Sequence, residues 1–145
     1  MDVVDFKNIL WNYTRKINER TNNLIINLCE HHGITTLQGR ILLEIQQHGS
    51  HTIGSLATRL HIAGTNISTM CKKLEGKGFI ERVRDVADER VVKVALSQKG
   101  IRVVEEINKE LIEKISNAIE GETDQSLKDI INGLKKLNHL LGKMD

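Results

Sequence analysis

The apolar pattern of this chain changes period in its centre and then changes back. Up to Phe79 the apolar residues recur at spacings of three and four. From Ile80 to Leu96 they shift toward alternation, and from Ser97 onward the helical spacing returns. A 3.6-residue period marks one face of a helix, and a two-residue period marks a half-buried strand. The chain is therefore expected to be helical on both sides of a single β-hairpin.

The first helix runs from Val3 to Glu30, striped by Phe6, Ile9, Leu10, Tyr13, Ile17, Leu24 and Leu28. Gly33 stands where a helix stop is needed. Thr35 or Thr36 then caps a second helix through Leu37, Ile41, Leu42 and Ile45, which Gly49 ends. A short helix spans Ile53 to Leu60, the turn His61-Ile62-Ala63-Gly64 follows, and another helix spans Thr65 to Lys77. Ile67, Met70, Cys71 and Leu74 form its inner face. Strands at Ile80 to Arg84 and Val91 to Leu96 enclose the polar connection 85–90. Ser97 caps a fifth helix carrying Ile101, Val104, Ile107, Leu111, Ile115 and Ile119, and Gly121 breaks it. Thr123 or Asp124 starts a last helix striped from Leu127 to Leu141.

A helix-turn-helix followed at once by a hairpin is a winged helix-turn-helix. The expected fold class is thus mainly α with a small β-hairpin, with long flanking dimerisation helices. The expected divisions are an N-terminal helix (1–34) in the dimerisation region, a winged helix-turn-helix DNA-binding domain (35–97), and C-terminal dimerisation helices (98–145).

Composition narrows the class further. The chain has 145 residues, enough for one domain, with 39% apolar residues but only 3% aromatics, so its core must be aliphatic. A net charge of +2 with 28% charged residues excludes a disordered acidic tail or a polybasic arm. No apolar run approaches the ~18 residues of a membrane span, and no signal segment opens the chain. The two cysteines make no disulfide framework. A cytoplasmic protein without a membrane partner is expected.

The flanking helices predict a homodimer. A roughly 25-residue helix is roughly 37 Å long, longer than a small central domain is wide. Three helices with wide aliphatic stripes exceed what that centre can cover, whereas a second copy can cover them. The competing arrangement folds them back as a monomeric bundle.

Function is expected in the centre. Thr65, Asn66, Ser68, Thr69, Lys72 and Lys73 point away from the apolar face of their helix. A recognition helix reads base edges from its N-terminal residues. Asn, Ser and Thr suit base edges, and lysines suit phosphates. A solvated surface face has the same composition. Arg84 and Arg90 flank the hairpin loop, with Asp88 between them. A cation on a wing can enter a narrow minor groove, and an acidic neighbour can hold it in place beforehand. A soluble turn with a weak ion pair is the plain alternative. Charge agrees with the DNA reading, because residues 64–100 carry eight Lys/Arg against five Asp/Glu, while residues 101–145 carry seven against nine.

Several motifs now combine. Ile53-Gly-Ser-Leu-Ala-Thr-Arg-Leu60, Leu74-Glu-Gly-Lys-Gly-Phe-Ile80, Asp88-Glu-Arg90 and Leu96-Ser-Gln-Lys-Gly100 make the chain resemble a MarR-type transcriptional regulator. The resemblance covers residues 35–100 by motif and the whole chain by element order. It implies a homodimer on pseudo-palindromic double-stranded DNA, usually a repressor. It also implies a small, often aromatic effector in a pocket framed by the first, second and fifth helices. Arg90 takes the place of the family's wing arginine, Asp88 that of its acidic partner, and the six helix residues above that of its base readers. Two positions depart from the family. Ala63-Gly64 stands where a capping Ser is frequent, so either the cap is weak or the helix starts at Thr65. His61 stands at the usual turn glycine, and His tolerates the left-handed backbone better than most residues.

Other functions find less support in the sequence. The four adjacent residues Cys29-Glu30-His31-His32 cannot all face one ion, and Cys29 with His32 could donate two ligands only if the fold brought His48, His51 or His139 close, so surface histidines and no metal or other cofactor are expected. Cys29 near a helix C-terminus and Cys71 on an inner face lack the positive surroundings of a redox sensor. No nucleophile motif or Gly-rich phosphate loop is present, so no enzyme is expected. A winged-helix adaptor that binds protein is the remaining alternative.

Overall fold

The computed structural model describes all 145 residues, Met1 to Asp145. Its elements follow the predicted order: α1 (Val3–Glu30), α2 (Thr36–His48), α3 (Ile53–Leu60), α4 (Gly64–Gly76), β1 (Ile80–Arg84), β2 (Val92–Leu96), α5 (Gln98–Ala118) and α6 (Asp124–Gly142). The strands pair antiparallel with Ile80 opposite Leu96 and Arg84 opposite Val92.

Local chemistry sets most of the helix starts. Asp2, Thr52 and Thr123 accept from backbone N–H groups of the first turns of α1, α3 and α6. Thr35 and Gln38 form a reciprocal capping box on α2. Ser97 Oγ accepts from Gly100 N at 3.0 Å on α5. Only α4 starts without a side-chain cap: its N-cap is Ala63, and the helix begins at Gly64, one residue before the expected Thr65. His61 has φ of 54°, so the helix-turn-helix turn is left-handed where expected. β2 begins at Val92 and not at Val91, because Val91 closes the wing loop instead. Its N–H donates to Asp88 O at 3.0 Å, and its carbonyl accepts from Asp85 N at 2.9 Å.

Contacts divide the chain into two compact units, Met1–Glu110 and Leu111–Asp145. In the first, Ile41, Leu42, Leu56, Ile67, Cys71, Leu74, Val94 and Val104 are fully buried, an aliphatic core drawn from α2, α3, α4, β2 and α5. α1 contributes only Leu28 and Cys29 to this core, and Phe6, Ile9, Tyr13 and Ile17 stay exposed. In the second unit α6 buries no residue at all, and Ile112, Ile115, Ile119, Ile130, Ile131, Leu134 and Leu141 are exposed.

Two contacts place the wing. His51 exchanges backbone hydrogen bonds with Val94, at 3.1 Å and 2.7 Å, which ties the start of α3 to β2. At the other end, α5 crosses the backbone before β1. Ser97 N donates to Phe79 O at 3.0 Å, and the Ser97 hydroxyl donates to Gly78 O. A Cβ on Gly100 would lie 2.0 Å from that same Phe79 oxygen. The glycine of the Leu-Ser-x-x-Gly motif is thus a steric requirement. Gly100→Ala should lower stability by about 3 kcal/mol through overpacking, read as a fall in the urea midpoint without change in slope.

The His51 ring has Nδ1 3.1 Å from Ser55 Oγ, while its Nε2 is buried without a partner. Burial pushes the imidazole below its ordinary pKa, against the pull of Glu44. The ring therefore stays neutral in the folded chain at pH values where the unfolded chain takes up a proton. Its stabilisation is present above the unfolded value of about 6.5 and is lost as pH falls through the lower folded value. Stability should decline in that acidic window, and His51→Gln should flatten the decline in thermal scans across pH.

Candidate nucleic-acid interface

The recognition helix divides its residues by face. Ile67, Cys71 and Leu74 are buried, and Met70 is half-buried. On the other side Thr65, Asn66, Thr69, Lys72 and Lys73 are exposed, and Ser68 is half-buried. All six predicted helix residues therefore share one polar surface of α4. Thr69 Oγ1 donates to Thr65 O at 3.0 Å, so that hydroxyl offers lone pairs outward. The first turn has no side-chain cap at the same end, where Asn66 N donates to Ala63 O at 3.0 Å.

The turn before this helix is held from α2. Arg40 Nη2 donates to Leu60 O at 3.3 Å, satisfying a carbonyl at the C-terminus of α3. The far end of α4 is held by Lys77, whose Nζ donates to Gly33 O at 3.1 Å and to Gln38 Oε1 at 3.4 Å. Neither residue was singled out in the sequence. Their partners lie 20 to 44 positions away, so no local pattern reports them.

In the wing, Arg90 Nε and Nη2 donate to the two carboxylate oxygens of Asp88 at 3.1 Å and 3.3 Å, and Arg90 N donates to Oδ1 at 3.0 Å. The Arg90 hydrogen bonds hold the Asp88 carboxyl below its usual range. The Arg90 side chain is nevertheless 91% exposed, so the pair orients the guanidinium without hiding it. Arg84 behaves differently. Its Nη1 donates to Glu89 O at 2.7 Å, so one of its N–H groups ties the two sides of the loop while the residue stays exposed. Lys93 pairs with Asp85 at 3.6 Å and Arg82 with Glu75 at 2.8 Å, so both are engaged within the fold.

The residues weighed for other chemistry are placed apart. Cys29 turns into the core, where a Cβ on Gly39 would meet its sulfur at 2.6 Å. His31 and His32 face Glu106 and Glu110 of α5 instead. Burial pushes both the Cys29 and the Cys71 thiols up.

A family model described as the MarR family matches residues 34–92, from the second helix through the wing loop. The uncharacterized HTH-type transcriptional regulator YwhA of Bacillus subtilis is 30% identical over 104 residues, covering 72% of this chain and 75% of the relative. The chain belongs to the MarR family. A second relative, the HTH-type transcriptional regulator YsmB of Bacillus subtilis, is 30% identical over 91 residues, which span 63% of this chain and 62% of that protein. The structure of a MarR family protein from Bacillus stearothermophilus superposes with a TM-score of 0.78 over 98% of this chain and 99% of the other, at 23% identity. This MarR-family chain is thus a helix-turn-helix transcriptional regulator, and its winged fold is the family's. No helix is long and apolar enough to cross a membrane.

The Asp88 pair makes a prediction for this MarR-family wing. Asp88→Ala should leave the melting temperature essentially unchanged, because an exposed pair contributes little to folding. It should widen the range of Arg90 side-chain conformations, read by NMR as a loss of guanidinium Nε–H order.

Proposed function

We propose that this protein is a repressor that acts in the cytoplasm as a homodimer on pseudo-palindromic operator DNA, and that a small effector releases it. The observation that carries the reading is the wing arginine, held by Asp88 yet 91% exposed, beside a recognition helix whose polar face is open. Thr65, Asn66, Ser68 and Thr69 read base edges in the major groove, and Lys72 and Lys73 contact phosphates. Arg90 enters the flanking minor groove, with Asp88 and Arg84 keeping the loop in shape. The uncapped N-terminus of α4 favours a nearby phosphate.

The homodimer rests on exposed aliphatic surface. α1 leaves Phe6, Ile9, Tyr13 and Ile17 uncovered, and the C-terminal unit buries nothing in α6. Exposed aliphatic residues in such number, in each unit, favour an interface. Residues 1–34 and 98–145 are thus assigned to dimerisation and 35–97 to DNA. A symmetric dimer presents its two recognition helices to half-sites about one helical turn apart, which matches a pseudo-palindrome. Seated there, it blocks a promoter sterically. A cleft of about 240 Å³ lined by His32, Phe79, Lys99, Arg102, Val103 and Glu106 is large enough for a small aromatic effector. Such an effector acts by preferring a form whose helix spacing no longer fits the DNA.

Fluorescence anisotropy on the DNA upstream of the protein's own gene tests this. Binding should resist a scrambled competitor, saturate at two chains per duplex and weaken steeply with salt. Arg90→Ala should weaken it by about tenfold, roughly 1.4 kcal/mol, with an unchanged melting temperature. Equal, weak binding to both DNAs overturns the operator reading, and full affinity in the Arg90 variant overturns the wing assignment.

A further inference from the structure

Four titratable groups meet where the segment between α1 and α2 packs against α5, and DNA binding as proposed uses none of them. His31 Nδ1 lies 3.3 Å from Glu110 Oε2, and His32 Nε2 lies 3.0 Å from Glu110 Oε1. The other ring nitrogen of His32, Nδ1, is 3.5 Å from Glu106 Oε2. The groups alternate: imidazole, carboxylate, imidazole, carboxylate. Glu106 and Glu110 are one turn apart and rise from one face of α5. The His32 side chain is only 14% exposed, so its two nitrogens have these carboxylates as near neighbours more than water.

Counting protons decides what this arrangement does. A neutral imidazole carries one N–H and one lone pair, whereas an imidazolium carries two N–H groups. With His32 neutral, one of its nitrogens turns a lone pair toward a carboxylate. With His32 charged, both contacts become attractive and charge-assisted. The hydrogen bond from His31, and further that from His32, hold Glu110 below the usual carboxylate range, so it stays anionic where imidazoles titrate. Lys99 and Arg102 of α5 line the same cleft as His32 and Glu106, and Lys99 Nζ donates to Lys77 O at 2.8 Å. Phe79 closes the remaining side.

This segment also reaches the recognition helix. Gly33, next to His32, gives its carbonyl to Lys77 Nζ at 3.1 Å, one residue beyond the end of α4. That hydrogen bond joins residues 31–33 to the residue that follows the last turn of α4. We propose that His31, His32, Glu106 and Glu110 form a proton-operated latch that holds the α1–α2 segment on α5 when His32 is charged, loosens it when His32 is neutral, and so biases the position of α4. The effect on α4 rests on the DNA-binding reading, and the latch itself does not.

The test is thermal unfolding of the full chain and its Glu106→Gln form at about pH 6 and about pH 8. A glutamine at 106 donates to a neutral ring and accepts from a charged one, so it removes the charge requirement and keeps a hydrogen-bonding group. The wild type should melt about 2 °C above the variant at the lower pH, and the gap should close or reverse at the higher pH. His51 titrates in the opposite sense in both proteins and cancels in the comparison. A gap equal at both pH values overturns the latch. So does a gap that still closes with pH when both proteins carry His32→Gln, because the titrating group is then another. Anisotropy at the same two pH values tests the connection to α4. The wild-type DNA affinity should fall with rising pH by about threefold more than that of Glu106→Gln, roughly 0.7 kcal/mol of coupling. Equal falls overturn the effect on α4. If no form binds DNA, the proposed function fails, and the melting comparison still decides the latch.

Discussion

The approach of α5 to the backbone of Phe79 sets the geometry around the wing. Gly100 carries no side chain, and the Phe79 carbonyl occupies the place where one would be. That carbonyl also accepts from Ser97 N, so one oxygen fixes both the end of β2 and the start of α5. Remove this closeness and two consequences follow. The hairpin is no longer anchored at its base, and α5 no longer leaves the core in the direction that brings Glu106 and Glu110 to the histidines of the α1–α2 segment. The opposite side of the wing is held by the His51–Val94 exchange, so the hairpin is fixed along one edge and at its root while its loop stays open.

Such anchoring suits recognition of a charged polymer. A cation loses less conformational freedom on binding when it is already oriented, provided it stays accessible. Arg90 meets both conditions, because Asp88 takes two of its nitrogens and leaves the side chain in solvent. Arg84 has the same charge and a different partner, a backbone carbonyl across the loop that takes one of its N–H groups. In α4 the division is between faces. An aliphatic side sinks into the core, and small polar groups and lysines are left on the other.

Much of this was readable from residue order. The limits of α1 and α3, the cap at Ser97, the left-handed His61 and the apolar face of α4 follow from spacing and cap chemistry within a few residues, whereas the caps of α2 and α6 are each narrowed to two neighbours, of which the structure uses Thr35 and Thr123. The places that were not readable depend on partners far along the chain. Arg40 to Leu60, Lys77 to Gly33, and His32 to Glu106 and Glu110 are contacts between residues that no short window contains. The two arginines of the wing looked equivalent by position, and their difference appeared only when the loop closed through Val91.

By itself the sequence determined the elements, their order, the polar face of the recognition helix and the membership of a winged helix-turn-helix family. These depend on periodicity, on caps and on φ preferences, which act over one or two turns of chain. Only the tertiary structure decided which charges are free and which are engaged, why Gly100 must be glycine, and that two histidines at a helix end meet two carboxylates. The physical reason is that hydrogen bonds and ion pairs depend on distances of about 3 Å between atoms whose separation in sequence carries no information. Those distances exist only once the aliphatic core has brought α2, α4 and α5 into place.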